Sequence, residues 1–264
     1  MSDFVTTDGV RLALAVSGTG RPMVFQHGLC GDAGQTAQVF PDGFTRLTLE
    51  CRGHGMSEAG ALDRLSIAQF SDDLAAMIAG RGLVRPVVGG ISMGAAMALR
   101  LAVTRPELVG ALVLARPAWG VAAAPAHMAP NALVGQLLAD HPAEKARALF
   151  EASAVAQMLA RDAPDNLTSL RGFFDRQPLA VTQALLRQIS ADGPGVTRAD
   201  VTALRLPVLV IGCARDHVHP LQLARDLAQV IPGAGFVEIT PKSTDPAAYR
   251  AEFTAALARF LKGL

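Results

Sequence analysis

The chain has 264 residues and half of them are hydrophobic, which suits one α/β domain with an insertion, or a domain and a half. A formal net charge of +1, no long charged run, and only one Trp and one Tyr argue against a nucleic-acid or membrane-surface partner. The sequence shows neither a signal-peptide pattern nor a membrane-spanning run, so a cytoplasmic location is expected.

Short apolar runs recur along most of the chain. Asp8-Gly9 is a strong turn pair, and it predicts a hairpin over residues 4–16. Six further runs have the length and composition of strands buried on both faces of a parallel sheet. These runs are Pro22–Phe25, Phe44–Leu49, Pro86–Val88, Ala111–Leu114, Pro207–Ile211 and Phe236–Ile239.

Helical patterns lie between these runs. Ser66 and Gln69 have the spacing of a capping box that opens a helix to about Gly80. Further helices are expected over Met93–Thr104, Leu221–Val230 and Pro246–Leu261. The alternation of strand and helix predicts an α/β fold with a doubly wound, mostly parallel sheet.

The alternation stops between residues 117 and 203. This segment has no convincing strand, and its prolines divide it into several helices. We therefore predict a helical cap over residues 117–203, inserted into a core domain of residues 1–116 and 204–264. Its apolar side chains are expected to line a pocket, although ordinary packing between cap helices would produce the same pattern.

The strongest local motif is Gly90-Ile91-Ser92-Met93-Gly94, which follows one predicted strand and precedes a helix. Small residues suit a sharp turn at which strand and helix approach closely, and Ser92 would be strained and exposed there. Free N–H groups and the helix dipole at this position favour a developing oxyanion. A phosphate-binding turn or simple tight packing is the alternative interpretation.

Two companion motifs also follow predicted strands: His27-Gly28-Leu29 and the loop Arg52-Gly53-His54-Gly55-Met56-Ser57. In this order and spacing, the three motifs resemble those of the α/β-hydrolase superfamily over most of the chain outside the cap. The resemblance implies an oxyanion hole formed by the backbone N–H groups of Leu29 and Met93. It also implies that His27 and His54 shape loops rather than transfer protons.

The resemblance further implies a catalytic acid in the loop after Pro207–Ile211, where Asp216 stands. A carboxylate near a helix start is also common for structural reasons. The superfamily's histidine should follow the last strand, but residues 239–249 contain none and no histidine follows His219. Without a base, a serine hydroxyl is a poor nucleophile at neutral pH.

Three explanations remain open for the missing base. A histidine from elsewhere could serve: His219 is preferred, His217 is its neighbour, and His127 or His141 could reach down from the cap. Lys242 stands about where the superfamily's histidine would and could act if burial lowered its pKa. Alternatively, the site performs no triad hydrolysis.

Cys30, Cys51 and Cys213 lie just past predicted strand ends, where ligands bind in open α/β sheets. Their spacing is unlike a compact ligand set, and cysteine is a common small buried residue. They are also odd in number and far apart, so they predict no disulfide framework. We expect no metal and no cofactor.

The leading hypothesis is a hydrolase of a small, mostly apolar ester, thioester or lactone. Ser92 would attack the acyl carbon, with His219 as base and Asp216 orienting it. The first alternative is a non-hydrolytic small-molecule binder or lyase-like enzyme on the same scaffold. The second is a structural or interaction protein, for which an exposed apolar cap face would be the sign.

Overall fold

The structure is a computed structural model that describes residues 2–264. Its eight strands form one sheet in the order β1-β2-β4-β3-β5-β6-β7-β8. The strands are β1 (Ser2–Val5), β2 (Arg11–Gly18), β3 (Arg21–Gln26), β4 (Phe44–Leu49), β5 (Val87–Ile91), β6 (Ala111–Ala115), β7 (Val208–Cys213) and β8 (Gly235–Ile239). β2 pairs antiparallel with β1 and β4, and the other neighbours are parallel. The predicted fold class is confirmed.

Eleven α-helices accompany the described strands. They are α1 (Ala33–Ala37), α2 (Ile67–Gly80), α3 (Met93–Thr104), α4 (Ala129–Asp140), α5 (Ala143–Glu151), α6 (Ala154–Asp162), α7 (Pro164–Gly172), α8 (Leu179–Ala191), α9 (Arg198–Ala203), α10 (Leu221–Val230) and α11 (Pro246–Lys262). None of the helices formed by residues 2–264 has both the length and the apolar character that a membrane crossing requires.

The start of α2 differs in one detail from the expected capping box. The Ser66 side chain accepts from the Gln69 N–H as predicted. The Gln69 side chain, however, donates to Asp73 one helical turn further on. The Ile67 N–H, another free donor at this helix end, donates to the Asp192 carboxylate, so a distant residue helps to satisfy the start of α2.

The sheet is buried on both faces because the residues of its central strands point alternately to two cores. Val88, Leu112 and Leu114 pack with α2, α3 and α10 on one face. Val113 and Ile211 face the other side, where Phe253 and Leu257 of α11 cover them. Fully apolar strands are therefore required in the centre of this sheet, as the sequence indicates.

Residues 117–203 contain α4 to α9 and, among the described residues, no strand. These inserted helices have a small core of their own that includes Val134, Phe150 and Leu170. The two ends of the insertion are joined because the Trp119 indole N–H donates to the Asp192 carbonyl oxygen. The insertion leaves the sheet after β6 and returns at β7, directly above the edge that carries Ser92.

Candidate active site

Ser92 lies between β5 and α3 in a strained backbone conformation, with φ 59° and ψ −111°. Such a φ is uncommon for a residue other than glycine and persists only where the surroundings enforce it. Gly94 allows the turn, because a Cβ there would lie 2.5 Å from the Gln26 carbonyl oxygen. The close approach of α3 to the end of β3 therefore fixes the position of the serine.

His219 and Asp216 lie beside Ser92. The His219 Nε2 is 2.8 Å from the Ser92 Oγ, and its Nδ1 is 2.9 Å and 3.0 Å from the two carboxylate oxygens of Asp216. Both residues come from the loop between β7 and α10, which meets the Ser92 turn at the carboxyl edge of the sheet. One short loop thus carries both the carboxylate and the imidazole.

The contacts of His219 define its tautomer. An ionised carboxylate can only accept hydrogen bonds, so the Nδ1 carries the proton that Asp216 accepts. The Nε2 is then free to accept from the Ser92 hydroxyl. Burial lowers the pKa of His219, the Asp216 charge opposes this, and the nearby Arg116 charge adds to the lowering. The imidazole is therefore neutral at neutral pH, as a proton acceptor must be.

Asp216 is held by several donors besides His219. The Arg116 Nε and Nη2 lie 2.9 Å and 2.5 Å from its Oδ2, and the Asn166 Nδ2 lies 2.9 Å from its Oδ1. Burial alone would raise the pKa of Asp216, but the charge of Arg116 and the hydrogen bonds from His219 and Asn166 outweigh it and hold that pKa well below its usual range. Asp216 is therefore ionised, although its side chain is only 4% exposed.

Arg116 follows β6 directly, with φ 44°, and its Nη1 donates to the Tyr249 hydroxyl of α11. Asn166 of α7 accepts the backbone N–H groups of His217 and Val218 with the same side chain that donates to Asp216. The loop of residues 214–220 between β7 and α10, here called the acid loop, is thereby fixed from two sides, by the sheet and by the inserted helices.

Leu29 and Met93, whose backbone N–H groups are the expected donors, both lie beside Ser92, because Met93 follows it in the chain and Leu29 lines the same cavity. Gly28 is close enough that a Cβ on it would lie 3.3 Å from the Ser92 Cβ. Among the described residues, neither N–H donates a hydrogen bond to another protein group. Ser92 itself is buried, with 7% exposed, and not exposed as the motif predicted, because inserted helices cover the sheet edge. Two unused donors beside this hydroxyl fit the requirement of an oxyanion hole.

The other histidines and Lys242 lie elsewhere. The Nε2 atoms of His27 and His54 lie 3.1 Å and 3.0 Å from the backbone nitrogens of Cys51 and Cys30, so these two buried rings join loops. Lys242 is exposed between β8 and α11 and makes no hydrogen bond or salt bridge within residues 2–264.

None of the three further histidines reaches the Ser92 hydroxyl. The His127 Nε2 contacts the Ala118 carbonyl oxygen, and His141 ends α4. The His217 side chain makes no hydrogen bond within the described part of the chain, although its backbone N–H donates to Asn166. His219 is therefore the histidine that the fold brings to the serine.

The cysteines are poor nucleophiles in this structure. Burial raises the pKa of Cys30 to about 12 and that of Cys213 to about 11, and it also raises the pKa of Cys51. A thiol with a raised pKa contains little of the reactive thiolate. Within residues 2–264, no three His, Cys, Asp or Glu side chains are grouped so that they could hold a metal ion.

A cavity of about 90 Å³ opens at the serine between the sheet edge and the inserted helices. Its wall is mixed in polarity. The polar residues lining it are Gln35, Ser92, Arg116, Asn131, Asn166, Ser169 and His219, and the apolar ones are Leu29, Ile91, Met128, Leu170, Phe173 and Val218.

A family model described as the alpha/beta hydrolase fold matches residues 21–243. The chain belongs to the α/β-hydrolase-fold family. BpoC of Mycobacterium tuberculosis, which is named as a non-heme bromoperoxidase, is 30% identical over 239 residues, or 87% of this chain and 89% of BpoC.

Solved structures share the fold of this α/β-hydrolase-fold protein at lower identity. An enol-lactonase from Burkholderia xenovorans superposes with a TM-score of 0.72 at 22% identity, over 99% of this chain and all of that one. An esterase from Exiguobacterium antarcticum superposes with a TM-score of 0.76 at 19% identity, over 99% of each chain. At this level of identity the likeness shows the fold.

The sequence motifs did not indicate three residues that the structure brings to this site. Arg116 could have been found, because it follows β6 and the end of β6 adjoins the end of β7, where Asp216 lies. Asn131 and Asn166 lie on inserted helices, and no local pattern shows which side of such a helix faces the sheet edge.

Proposed function

We propose that this protein hydrolyses small carboxylic esters, thioesters or lactones, with Ser92 as nucleophile, His219 as general base and Asp216 as the residue that orients it. The observation that carries the proposal is the 2.8 Å separation of the His219 Nε2 and the Ser92 Oγ, with the opposite ring nitrogen on Asp216. Nucleophile, base and orienting acid in hydrogen-bond reach are the geometry that activates a serine.

In the first step, the Ser92 Oγ attacks the acyl carbon while its proton passes to the His219 Nε2. The carbonyl oxygen gains a negative charge and is stabilised by the N–H groups of Leu29 and Met93, which have no protein acceptor. Asp216 stabilises the imidazolium that forms. The tetrahedral intermediate collapses when His219 returns the proton to the leaving alcohol or thiol, which leaves an acyl-enzyme.

In the second step, water replaces the leaving group. His219 accepts a proton from the water, whose oxygen attacks the acyl carbon, and then returns this proton to the Ser92 Oγ. The products are the free acid and the regenerated serine, so every bond and proton is accounted for without a cofactor.

We assign residues 117–203 the role of a cap that selects the acyl group. Met128, Leu170 and Phe173 from these helices line the cavity opposite the serine. The cavity at Ser92 has a volume of only about 90 Å³. Short acyl groups are therefore the favoured substrates. Because these helices lie so close to Ser92, we favour a role in substrate selection over the alternative role of an interaction surface.

The placement of His219 also favours hydrolysis over a non-hydrolytic role, because the absence of a base was the reason to consider that role. The relatives are compatible with this choice, since an esterase and an enol-lactonase have the same scaffold.

Labelling with a fluorophosphonate, followed by peptide mapping, tests the proposal. We expect one covalent adduct on Ser92 of the folded protein, none in Ser92→Ala, and turnover of p-nitrophenyl acetate or butanoate that Ser92→Ala abolishes. An unlabelled Ser92 in protein that is folded by circular dichroism would instead favour a ligand-binding role.

A further inference from the structure

Asn131 lies in the first turn of α4 and is only 5% exposed, yet it lacks a protein partner. Its buried Oδ1 accepts no hydrogen bond, and its Nδ2 donates none to residues 2–264. Leaving a buried polar group without a partner destabilises a protein, so native structures retain few such groups. Asn131 also lines the cavity that contains Ser92.

The other polar side chains that line the cavity have protein partners. Gln35 accepts the Gly28 N–H, Ser169 donates to the Asp165 carbonyl oxygen, and Asn166 is engaged with the acid loop. The Arg116 guanidinium faces Asp216. Within the described residues, Asn131 is therefore the one polar side chain of this wall that has no protein partner at either end.

The charges around the cavity indicate the kind of group that Asn131 would meet. The positive charge of Arg116 is opposed by Asp216 at 2.5 Å, which leaves little excess charge to attract an anion. A carboxamide both donates and accepts hydrogen bonds, as a hydroxyl does. A hydroxyl can pair with either end of the amide, so the match holds whichever way the Asn131 amide is turned.

We propose that Asn131 is a specificity-determining residue that selects short acyl groups carrying a hydroxyl. This inference rests on Ser92 hydrolysis as proposed above and adds the substrate class. Asn131 and Ser92 line the same small cavity, so we place the hydroxyl two or three carbons from the carbonyl carbon of the acyl group.

A pair of isosteric esters tests the inference: p-nitrophenyl 3-hydroxybutanoate and p-nitrophenyl 3-methylbutanoate, which differ by a hydroxyl in place of a methyl. We expect the wild-type protein to prefer the hydroxy ester by about tenfold or more in kcat/KM, after correction for uncatalysed hydrolysis. This ratio should fall towards one in Asn131→Leu and in Asn131→Ala. A wild-type ratio near one, or a ratio that survives both substitutions, would overturn the inference.

Two control variants separate recognition from folding. Ser190 is also buried without a partner but does not line the cavity, so Ser190→Ala should leave the ratio unchanged. Asn131→Leu should keep or raise the Tm, because it removes an unpartnered group, whereas Asn166→Leu should lower the Tm because it removes three hydrogen bonds. A large fall in Tm for Asn131→Leu would indicate a structural residue and contradict the inference.

A binding measurement distinguishes failure of this inference from failure of the proposed hydrolysis. If Ser92 is neither labelled nor active, the neutral ligands 3-hydroxybutanamide and 3-methylbutanamide can still be compared by ligand-observed NMR. Preferential binding of the hydroxyamide to wild type but not to Asn131→Leu would support the recognition site without hydrolysis. Equal binding of the two amides would refute it.

Discussion

The Arg116 guanidinium lies against the carboxylate of Asp216, with its Nη2 2.5 Å from the Oδ2, and both side chains are buried or nearly so. Its Nη2 also lies 3.3 Å from the His219 Nδ1. The positive charge of Arg116 therefore lies next to both Asp216 and His219. It affects both the pH dependence and the stability of the site.

The first consequence concerns the acid limb of the pH profile. His219 must be neutral to accept a proton, and burial and Arg116 both lower its pKa, so activity should persist below the ordinary histidine range. Arg116→Gln removes one of these causes, so the pKa of His219 rises and the acid limb of kcat/KM moves to higher pH. Arg215→Gln, which changes an exposed neighbour of Asp216, is the control. An acid limb that stays in place or moves to lower pH in Arg116→Gln would contradict this explanation.

The second consequence concerns the free energy of unfolding. Arg116→Met leaves a buried carboxylate without its cation, and Asp216→Asn leaves a buried guanidinium without its anion. Each should cost about 3–5 kcal/mol. The double variant removes both charges and should cost clearly less than the sum, as measured by urea unfolding. Costs that add to within about 0.5 kcal/mol would show that the two groups are not coupled.

The sequence predicted the sheet well because its signals are local. The apolar runs of β5 and β6 are buried on both faces, and the turn around Ser92 depends on small residues that are adjacent in the chain. The tertiary contacts were harder to predict. Asn166 meets Asp216 across 50 residues and Tyr249 meets Arg116 across 133, and no periodicity shows such pairs.

The orientation of His219 could not be predicted from the sequence. Its place three residues after Asp216 made it the preferred base, but its orientation depends on how the loop crosses the sheet edge. The structure places its Nε2 on Ser92, and the loop after β8, where the superfamily's histidine was expected, carries only the exposed Lys242. Lys242 as base is the alternative that experiment has to test.

The turn at Ser92 should not tolerate a side chain at Gly94. A Cβ there would lie 2.5–2.8 Å from backbone atoms of Gln26 and His27, which cannot move without shifting β3. Gly94→Ala should therefore lower the free energy of unfolding by about 3 kcal/mol. Gly172→Ala is the matched control, because nothing lies within 4 Å of its Cβ, and it should be neutral or stabilise by up to about 1 kcal/mol. Equal effects in the two variants would refute the account of the turn.

Phe173 lies between the Ser92 cavity and a larger one of about 420 Å³, and it and Ser169 line both. Phe173→Ala should join them and admit longer acyl groups. The ratio of kcat/KM for p-nitrophenyl octanoate over p-nitrophenyl acetate should rise by about tenfold, or ~1.4 kcal/mol. Phe174→Ala, which truncates a neighbour packed on Phe150, should lower stability without changing this ratio. An unchanged ratio in Phe173→Ala would show that Phe173 does not limit acyl length.

The claim that His219 activates Ser92 is tested most directly by the second-order rate constant for fluorophosphonate labelling of Ser92. His219→Gln should lower this rate constant by about 10²–10⁴-fold, whereas His217→Gln and Lys242→Ala should stay within about threefold of wild type. Labelling of His219→Gln at nearly the wild-type rate, or loss of labelling in Lys242→Ala, would contradict the claim.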